Sequence, residues 1–598
     1  MMKKVENDNA MTRNEFTLLY TIKKHGMLSH RKIRDLSALS TGYISTAIHD
    51  FREKGWVDDA GVTDTGLEAL LPYKVVNAVI MAAGMSTRFV PISLEKPKGL
   101  LVVKNEVLIE RQIEQLQEAG IPNIVIVLGY KKEAFFYLED KFDGIKIIIN
   151  PEYNTKNNTH TLYLAQDYIG NSYICSSDDY FEENPFEEYV YQSYYASVHV
   201  HEKTNEWYMV PDAKGNIAKV QKSGGDGFIM LGHAYWDRRF SAGMISLLNE
   251  DHPIGNYAST LWEQVLAEHV KELPPMEIRE YPAEVIFEFD SLDELRAFDS
   301  NYVNHTHSRI MRNIARFLQC RESDILHFKA IKEGLTNTSF VFEVQGKKYV
   351  YRHPGEGTEA IISRPHEKKA LELARSIGAD PTFLYMDDKT GWKISSYVEG
   401  IRVPSYDSPD DSRRVLRVLR RLHERKLLVD WSFLPWEEAG KIEVMLRSSG
   451  EGIADPEFDK LKENVGKCYR KCAGDGVEMC FCHCDTYAPN WMLTEKDTIL
   501  IDWEYAGNAD PGCDIGTYIM DSMWDVPEAE AFIREYCGED MTDAQLFHYL
   551  AYTAILSYYW YVWALYREAS GAVMGESLYN WHIMAKRYSK YLVRQYKL

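Results

Sequence analysis

Apolar residues recur at helical spacing along the first part of the chain. One stripe runs over residues 16–22, a second short helix is expected over 31–36, and a third begins at Ser40. Gly55 ends the third helix, and short apolar pairs on either side of residues 58–61 predict a hairpin. The pattern therefore predicts three helices followed by a small hairpin.

The pattern then changes to buried strands that alternate with amphipathic helices. This alternation predicts a mostly parallel, Rossmann-like α/β sheet with right-handed crossovers. Ligands of such sheets lie at the carboxyl ends of the strands. The predicted elements are strands over residues 75–81, 124–128, 145–149 and 173–177 and a helix over residues 108–119.

The last part of the chain begins with strands and continues with helices. A hairpin is predicted over residues 340–352, and helical patterns dominate from His366 onward. A small β-rich lobe before a large helical lobe is the order of an α+β, protein-kinase-like phosphotransferase. We therefore expect a multidomain protein with boundaries at residues 1–74, 75–300 and 301–598.

Composition indicates an ordinary globular protein. Of the 598 residues, 45% are hydrophobic and 26% are charged, and this length exceeds what one core usually serves. The net charge of −21 opposes general binding to nucleic acid or anionic membranes. The N-terminus has no secretory signal, and an odd number of cysteines suits reduced thiols, so we expect a cytoplasmic protein. The uncharged run 549–566 holds six tyrosines and is a poor membrane span.

The first candidate site is the loop after the first strand. Ala82, Ala83 and Gly84 end that strand, where backbone N–H groups can face a triphosphate. Arg88 and Lys98 supply positive charge for the phosphates. A lone Ala-Ala-Gly is more often a packed strand-to-helix turn, but Arg88 and the Lys-Pro-Lys triplet favour a nucleotide site.

With these residues the segment resembles the nucleoside-triphosphate transferases that activate sugar phosphates and phosphocholine. That family usually has a second glycine where this chain has Ser86. The resemblance implies two magnesium-binding aspartates, which Asp178 and Asp290 match, with Asp179 and Asp293 as the competing positions.

Aromatic clusters in this part of the chain indicate an acceptor that carries a quaternary ammonium group, because such a group binds aromatic faces. The clusters Glu206-Trp207 and Tyr235-Trp236 and the segment 150–165 resemble the bacterial CTP:phosphocholine cytidylyltransferases. The resemblance implies in-line attack by phosphocholine on the α-phosphorus of CTP. Trp207 and Trp236 are also compatible with simple core packing.

The second candidate site is a histidine-containing loop followed by a strand. It comprises His483, Asp485 and Asn490, and then Asp502 and Glu504 beyond the strand. Phosphoryl transfer needs a carboxylate near the attacking hydroxyl and oxygen ligands for magnesium. We expect Asp485 to be the base or orienting residue, Asn490, Asp502 and Glu504 to be metal ligands, and His483 to brace the loop.

This spacing resembles choline and ethanolamine kinases and the aminoglycoside phosphotransferases. The resemblance implies that ATP is the phosphoryl donor and that Thr336 and Asn337 belong to the loop covering its phosphates. It also implies that Arg352 stands where many kinases use lysine, with Glu367 as its ion-pair partner.

The acceptor pocket of the kinase is indicated by a late aromatic helix. Tyr559, Trp563 and Tyr566 follow i, i+4, i+7, with Trp560 beside them. Such a face can hold a trimethylammonium group by cation–π attraction, although a packed core helix explains it too. The Trp-x-x-Trp pair resembles choline kinases and favours choline.

Two further patterns leave alternatives open. Cys480, Cys482 and Cys484 alternate around His483, but a second pair at zinc-finger spacing is missing, which favours reduced core thiols over zinc. The first 74 residues resemble a winged helix-turn-helix of bacterial regulators. Their third helix, with His49, could read DNA, or the domain could serve protein packing or self-association.

The leading interpretation is a bifunctional enzyme that makes phosphocholine from choline and ATP and then CDP-choline from CTP. A second interpretation replaces choline by ethanolamine and phosphocholine by a sugar phosphate. A third is a DNA-binding regulator that senses metabolites. The intact polar residues Lys98, Asp178, Asp485, Asn490 and Asp502 favour active enzymes.

Overall fold

The computed structural model describes residues 11–202, 204–250, 256–331, 337–355, 362–448, 453–572 and 574–598. The chain forms two compact units, Met1–Phe328 and Lys329–Leu598.

The first unit begins with a small helical segment. Each of its described helices starts after a Ser or Thr whose side chain accepts a backbone N–H, as expected of N-caps. An antiparallel bridge between Val57 and Val62 lies where the hairpin was predicted. The three predicted helices are present, and the winged-helix classification stays a prediction. The helices are α1 (Arg13–His25), α2 (His30–Ser37), α3 (Thr41–Glu53) and α4 (Asp64–Leu70).

This helical segment packs on the rest of the first unit through tyrosines. The ring of Tyr73 stacks on that of Tyr191 with centroids 5.4 Å apart, and Tyr20 meets Tyr189 at 5.7 Å. Because Tyr189 is buried in the same cluster as the helical core, the segment and the sheet domain share one packed interface.

Strands and helices alternate in the remainder of the first unit. The strands are β1 (Asn77–Ala82), β2 (Val102–Val103), β3 (Glu106–Val107), β4 (Ile124–Leu128), β5 (Ile145–Ile149), β6 (Ser172–Ser176), β7 (Asp179–Phe181), β8 (Tyr194–Val200), β9 (Thr204–Pro211), β10 (Ile217–Gly224), β11 (Gly227–Trp236), β12 (Glu277–Glu280) and β13 (Ile286–Glu288). The helices are α5 (Leu108–Glu118), α6 (Tyr137–Lys141), α7 (Asn158–Leu164), α8 (Arg238–Glu250), α9 (Trp262–His269), α10 (Leu292–Phe298), α11 (Asn301–Asn304) and α12 (Arg309–Leu318).

The central sheet runs in the order β10-β9-β11-β6-β1-β4-β5, with β8 beside β11 and β12 beside β8. Strands β6, β1, β4 and β5 are parallel, as predicted, whereas β11 is antiparallel to β6. Both faces are buried: Ala78 and Ile80 of β1 join one core cluster with α5, while Val79 joins another with α7 and α8. This double burial explains the continuous apolar strand at β1.

The helices at residues 301–318 belong to the first unit. The hydroxyl of Tyr302 donates to Val102 O at 2.8 Å, and Ser308 is buried against Glu95. The boundary expected at residue 300 therefore differs from the division in the structure, which follows Phe328, because these helices contact the sheet domain.

A five-stranded sheet in the order β14-β15-β16-β18-β17 precedes the helices of the second unit, and its first strand, β14, begins before the division at Phe328. The predicted hairpin is β15–β16, whose turn residues Gln345 and Gly346 both have positive φ, as a tight hairpin requires. The strands are β14 (Ile325–Ala330), β15 (Asn337–Val344), β16 (Lys347–Pro354), β17 (Phe383–Met386), β18 (Lys393–Ser396), β19 (Cys480–Cys482), β20 (Trp491–Leu493), β21 (Thr498–Leu500) and β22 (Gly507–Ala509).

Packed helices make up most of the second unit. Helix α19 is 27 residues long and buries most of its aromatic side chains in the main core cluster of the unit. Nowhere in the described ranges does a helix combine the length and apolar character that a membrane span requires. The helices are α13 (Arg364–Ser376), α14 (Pro409–His423), α15 (Pro435–Ser448), α16 (Phe458–Cys472), α17 (Gly512–Ser522), α18 (Val526–Cys537), α19 (Asp543–Ala569) and α20 (Glu576–Tyr596).

Candidate active sites

The loop after β1 opens onto a cavity of about 220 Å³ in the first unit. Parallel pairing aligns Met81 of β1 with Ser176 of β6, so the two strands end at the same edge. The loop and the end of β6 therefore line one cavity, as expected for an α/β sheet. The lining includes the predicted residues Ala82, Ala83, Gly84, Lys98 and Asp178.

Ser86 adopts a left-handed backbone conformation, which is one that favours the glycine usual at this position in nucleoside-triphosphate transferases. Its φ and ψ are both 50°, in the left-handed region. A non-glycine residue there carries a conformational cost of about 1 kcal/mol. The loop thus keeps the glycine-type geometry with a serine.

Lys98 lies at the centre of a group of carboxylates. Its Nζ is 2.7 Å from Asp178 Oδ2 and 3.7 Å from Asp290 Oδ1. Glu288, which the sequence did not indicate, is 4.0 Å away. Burial alone would lower the pKa of Lys98, but the carboxylates of Asp178 and Glu288 raise it, so the ammonium group stays charged.

The pairing of β7 with β13 brings these acids together. Asp179 of β7 pairs with Glu288 of β13, so Asp178 and Asp290 lie just beyond the ends of the two strands. Asp290 also accepts a hydrogen bond of 2.6 Å from Arg88 Nη1. The structure thus assembles Arg88, Lys98, Asp178 and Asp290 from three distant segments.

The two competing aspartates have other environments. Asp179 is only 2% exposed, and burial together with the charges of Glu288 and Asp178 raises its pKa well above the ordinary value. Asp293 pairs with Arg296 one helical turn along α10, at 3.3 Å. Asp178 and Asp290 are therefore the members of each pair that face Lys98.

This carboxylate group has the chemistry of a magnesium site. Burial, followed by the charge of Asp178, raises the pKa of Glu288 to about 7. Such crowding of acids is relieved by a divalent cation, and carboxylate oxygens are ligands that Mg²⁺ prefers. Asp178, Asp290 and Glu288 could therefore hold it.

Two of the four predicted acceptor residues are core residues instead. Tyr235 and Trp236 are both fully buried. Tyr235 packs against Tyr173 at 5.4 Å, and Trp236 packs against Trp262 at 5.2 Å on the opposite face of the sheet. Because β11 is an interior strand with both faces covered, the prediction that these two residues bind substrate is wrong.

The other two predicted acceptor residues lie on β9. Glu206 is exposed, and Trp207 is partly buried against the second core cluster of the sheet. The cavity itself is lined by Tyr153, Asn157 and Asn158, which belong to the segment 150–165 that the sequence singled out.

An acid that the sequence did not indicate adjoins this cavity. Glu263 of α9 accepts a hydrogen bond of 3.2 Å from Asn158 Nδ2 and one of 3.4 Å from the hydroxyl of Tyr195. Burial raises the pKa of Glu263. Glu263 thus holds Asn158, one of the residues that line the cavity, through a hydrogen bond.

In the second unit, Asp514 of α17 holds the histidine-containing loop. It accepts backbone hydrogen bonds from His483 N at 3.1 Å and Cys484 N at 2.6 Å. His423 Nε2 is also 2.9 Å from it. The ring Nε2 of His483 donates to Ile501 O at 2.9 Å, so this histidine braces the loop against the next strand.

The catalytic candidates Asp485 and Asn490 lie side by side in this loop. Asn490 Nδ2 donates to Asp485 Oδ2 at 3.0 Å and to Asp485 O at 2.8 Å. Burial, reinforced by the charges of Asp502 and Glu504, raises the pKa of Asp485 well above its ordinary value. A carboxylate of raised proton affinity is suited to accept a proton from a hydroxyl.

Arg352 joins the remaining candidates of the second unit. It is ion-paired with Glu367, which is fully buried, and its Nη1 lies 3.0 Å from Asp502 Oδ1 and 3.8 Å from Glu504 Oε2. Asn337 at the start of β15 donates to Glu504 at 3.4 Å. Thr336 lies outside the described residues.

Asp502 and Glu504 differ in their acidity. Burial would raise the pKa of Asp502, but Lys393 and Arg352 lower it. Burial and the charge of Asp502 raise the pKa of Glu504 to about 7. Asp502 also has a φ of 68°, a strained conformation of the kind found at functional sites. The carboxylates of Glu367, Asp502 and Glu504 lie close enough together to hold a metal ion, and Asn490 stays a predicted ligand.

The predicted aromatic residues of α19 form a cluster near Asp485. Tyr559, Trp560 and Trp563 are buried, and Trp560 contacts Tyr505 at 5.1 Å. Burial, followed by the charges of Glu438 and Asp485, raises the pKa of Tyr559. Trp581 of α20, which the sequence did not indicate, completes the cluster at 5.7 Å from Trp560.

The three alternating cysteines belong to the core. Cys480 Sγ and Cys482 Sγ are 3.7 Å apart, and all three thiols are buried. Both ring nitrogens of His483 are engaged, one with Ile501 O and the other with Asp485 N at 3.2 Å. His483 itself is therefore not free to serve as a metal ligand, although Cys482 lies close to His423 and Asp514.

The fold and the two sites define a nucleotidyltransferase joined to a phosphotransferase. Residues 77–206 match the nucleotidyl transferase family model, and residues 327–547 match that of the phosphotransferase enzyme family. The chain belongs to the nucleotidyl transferase family.

Several named proteins are similar to parts of the chain. The chain is 33% identical over 224 residues to choline-phosphate cytidylyltransferase of Streptococcus pneumoniae (strain R6), covering 38% of this chain and 97% of the relative. It is 33% identical over 230 residues to 2-aminoethylphosphonate cytidylyltransferase of Lancefieldella rimae, covering 38% and 93%. The crystal structure of choline kinase LicA from Streptococcus pneumoniae is similar with a TM-score of 0.42 and 24% identity, covering 48% of this chain and 99% of that one.

Proposed function

We propose that the chain is a bifunctional enzyme that phosphorylates choline with ATP and transfers CMP from CTP to the phosphocholine so formed. The products of the second reaction are CDP-choline and pyrophosphate. The observation that carries the proposal is the cluster of Tyr505, Tyr559, Trp560 and Trp581 in the unit that contains Asp485, because aromatic faces bind a quaternary ammonium group.

The similarity to cytidylyltransferases supports the second half of the proposal. One relative is named for choline phosphate and another for 2-aminoethylphosphonate. A phosphonate already carries its phosphorus on carbon, so it needs no ATP-dependent kinase. A kinase on the same chain supplies a phosphate ester, and this favours phosphocholine as the acceptor.

In the nucleotidyltransferase, the phosphate of phosphocholine attacks the α-phosphorus of CTP in line with the leaving pyrophosphate. Lys98 and Arg88 place positive charge where negative charge spreads over the phosphates. Asp178, Asp290 and Glu288 would hold Mg²⁺, which neutralises phosphate charge when bound. The backbone at Ala82, Ala83 and Gly84 would face the triphosphate.

In the kinase, the hydroxyl of choline attacks the γ-phosphorus of ATP, and ADP leaves. Asp485 accepts the hydroxyl proton, and Asn490 orients that carboxylate. Arg352, held by Glu367, would bind the nucleotide phosphates. Asn490, Asp502 and Glu504 would hold Mg²⁺, which would neutralise negative charge on the nucleotide phosphates.

For residues 11–73 we propose a winged helix-turn-helix that serves packing within the protein. Three basic side chains near α3 are already paired with acids: Arg52 with Asp59 at 2.7 Å, Lys54 with Glu15 at 3.3 Å, and His49 with Glu53 at 3.7 Å. This pairing leaves little net charge for phosphate contacts. A fluorescence-anisotropy titration with promoter DNA at physiological salt checks this, and saturable binding would favour the regulator instead.

One experiment tests the enzymatic proposal. The pure protein is incubated with choline, ATP, CTP and Mg²⁺, and the products are followed by phosphorus NMR. We expect phosphocholine to appear first and CDP-choline to follow. The Lys98→Ala variant should form phosphocholine but no CDP-choline. The Asp485→Asn variant should form CDP-choline only when phosphocholine is added, because it cannot phosphorylate choline. Turnover of ethanolamine or of a sugar phosphate in place of these substrates would overturn the proposal.

A further inference from the structure

The segment of residues 299–310, here called the clasp, holds the loop of residues 95–104 that carries Lys98. The carboxylate of Asp299 accepts a hydrogen bond of 2.7 Å from Lys104 N. The hydroxyl of Tyr302 donates to Val102 O at 2.8 Å. Both side chains are about 5% exposed or less, so these contacts are shielded from water.

The third contact of the clasp is the carboxylate of Glu95. It accepts hydrogen bonds from the hydroxyl of Ser308 and from the backbone amides of Arg309, at 3.0 Å, and Ile310, at 3.5 Å. These amides open the ten-residue helix α12 and have no partner within it. A carboxylate at a helix N-terminus is favoured by the helix dipole as well as by the hydrogen bonds.

The hydrogen bonds within the loop join only residues that are close in sequence. Contacts with the clasp are therefore needed to fix the position of the loop. Between Glu95 and Val102 the chain makes a short turn with hydrogen bonds from Leu100 N to Pro97 O and from Leu101 N to Lys98 O. Gly99 packs directly on Ser177, where an added Cβ would lie 2.8 Å from Ser177 Oγ. The loop is therefore fitted closely to the strand end that leads to Asp178.

We infer that Glu95 is a positioning residue for nucleotidyl transfer. It fixes the loop to the clasp three residues before Lys98. This contact keeps the Lys98 ammonium group close to the carboxylates of Asp178 and Asp290. A displacement of about 1 Å at a catalytic group can cost about a hundredfold in rate, so partial loosening of the loop has a measurable effect. This inference rests on the proposed cytidylyl transfer.

Glu95→Gln is the direct test because glutamine keeps the shape but loses one acceptor and the charge. We expect kcat for CDP-choline formation to fall about tenfold while KM for CTP changes less than about threefold, because the ammonium group acts on charge developing in the transition state. Choline phosphorylation by the same preparation should stay within about twofold of wild type. The matched control is Glu106→Gln, which removes a carboxylate paired with Arg111 at 2.5 Å near the same loop, and it should leave both activities within about twofold.

Two double-mutant comparisons separate positioning from general stability. Ser308→Ala removes the clasp side of the contact, and combined with Glu95→Gln it should lower kcat by less than the product of the single effects. In a Lys98→Arg background, Glu95→Gln should have less than about a twofold effect, because the group it positions has been replaced. If the Glu95→Gln variant does not fold, the Ser308→Ala variant alone must show a lower kcat for CDP-choline formation with little change in KM for CTP.

Hydrogen–deuterium exchange gives a readout that needs no substrate. The amides of Leu100 and Leu101 should exchange faster in Glu95→Gln than in wild type or in Glu106→Gln. Unchanged exchange together with unchanged kcat would overturn the inference. If the wild-type protein forms no CDP-choline, the proposed acceptor is wrong. Faster exchange of the loop amides in Glu95→Gln would then still support the role of Glu95 in holding the loop.

Discussion

Replacing Trp581 by leucine should weaken choline recognition without affecting ATP. Trp581 is partly exposed, and its ring centroid lies 5.7 Å from that of Trp560 and 6.3 Å from that of Trp563. Its substitution therefore disturbs folding less than loss of a fully buried tryptophan, which typically costs about 3–5 kcal/mol. Leucine keeps apolar volume but removes the π face.

The magnitude follows from the cation–π energy. A desolvated ammonium group gains about 2 kcal/mol from one indole. Since about 1.4 kcal/mol corresponds to a factor of ten, kcat/KM for choline should fall about 30-fold. The neutral tert-butyl analogue of choline, in which carbon replaces the ammonium nitrogen, has the same shape and should lose no more than about threefold. Trp581→Phe should retain an intermediate preference for choline.

The assay is coupled ADP release with each acceptor, and the decisive number is the ratio of kcat/KM for choline to that for the analogue. Trp436→Leu is the control, since Trp436 contacts Tyr469 and Tyr558 at 5.3 and 5.6 Å, and it should leave the ratio unchanged. An equal loss for both acceptors in Trp581→Leu would show that the indole serves packing alone and would refute the cation–π reasoning.

Three further predictions concern strain and buried charge. Ser86→Gly should raise the free energy of unfolding by up to about 1 kcal/mol, whereas Ser86→Val should abolish CTP-dependent activity, because φ is positive there. Arg352→Met should destabilise the second unit by about 3–5 kcal/mol in urea unfolding, since it strands buried carboxylates; a loss below about 1 kcal/mol would contradict this. Burial would lower the pKa of His548, but Asp510 and Asp475 raise it above the unfolded value of about 6.5, so its stabilisation is full below that pH and lost as pH rises through the folded pKa. His548→Asn should therefore cost more stability near about pH 6 than near about pH 9, and an equal cost would argue against a charged imidazole.

The parts of the fold that sequence reasoning anticipated are those coded by local patterns. Alternating apolar strands and helices indicated the parallel strands β1, β4, β5 and β6, and the Gln345-Gly346 turn indicated a hairpin. The polar residues at strand ends, such as Asp178, come together because parallel pairing aligns those ends at one edge.

Residues that sequence reasoning missed or misassigned depend on distant pairings. Glu288 reaches Lys98 only because β13 pairs with β7, and Trp581 joins the aromatic cluster because α20 packs on α19. Tyr235 and Trp236 carry the composition of a binding site, but the neighbours of β11 cover both of its faces. An isolated aromatic pair does not reveal which neighbours will enclose it.

The hydrogen bonds of Asp514 have a consequence for how this kinase can change over evolution. They anchor the turn that bears Asp485 to α17, while the aromatic residues that we propose as the acceptor site come mainly from α19 and α20. The residues proposed for phosphoryl transfer and those proposed to select the alcohol thus lie on different segments of the chain. Mutations in the later helices can retune the enzyme toward a smaller or less methylated amine, and the transfer machinery need not be rebuilt each time.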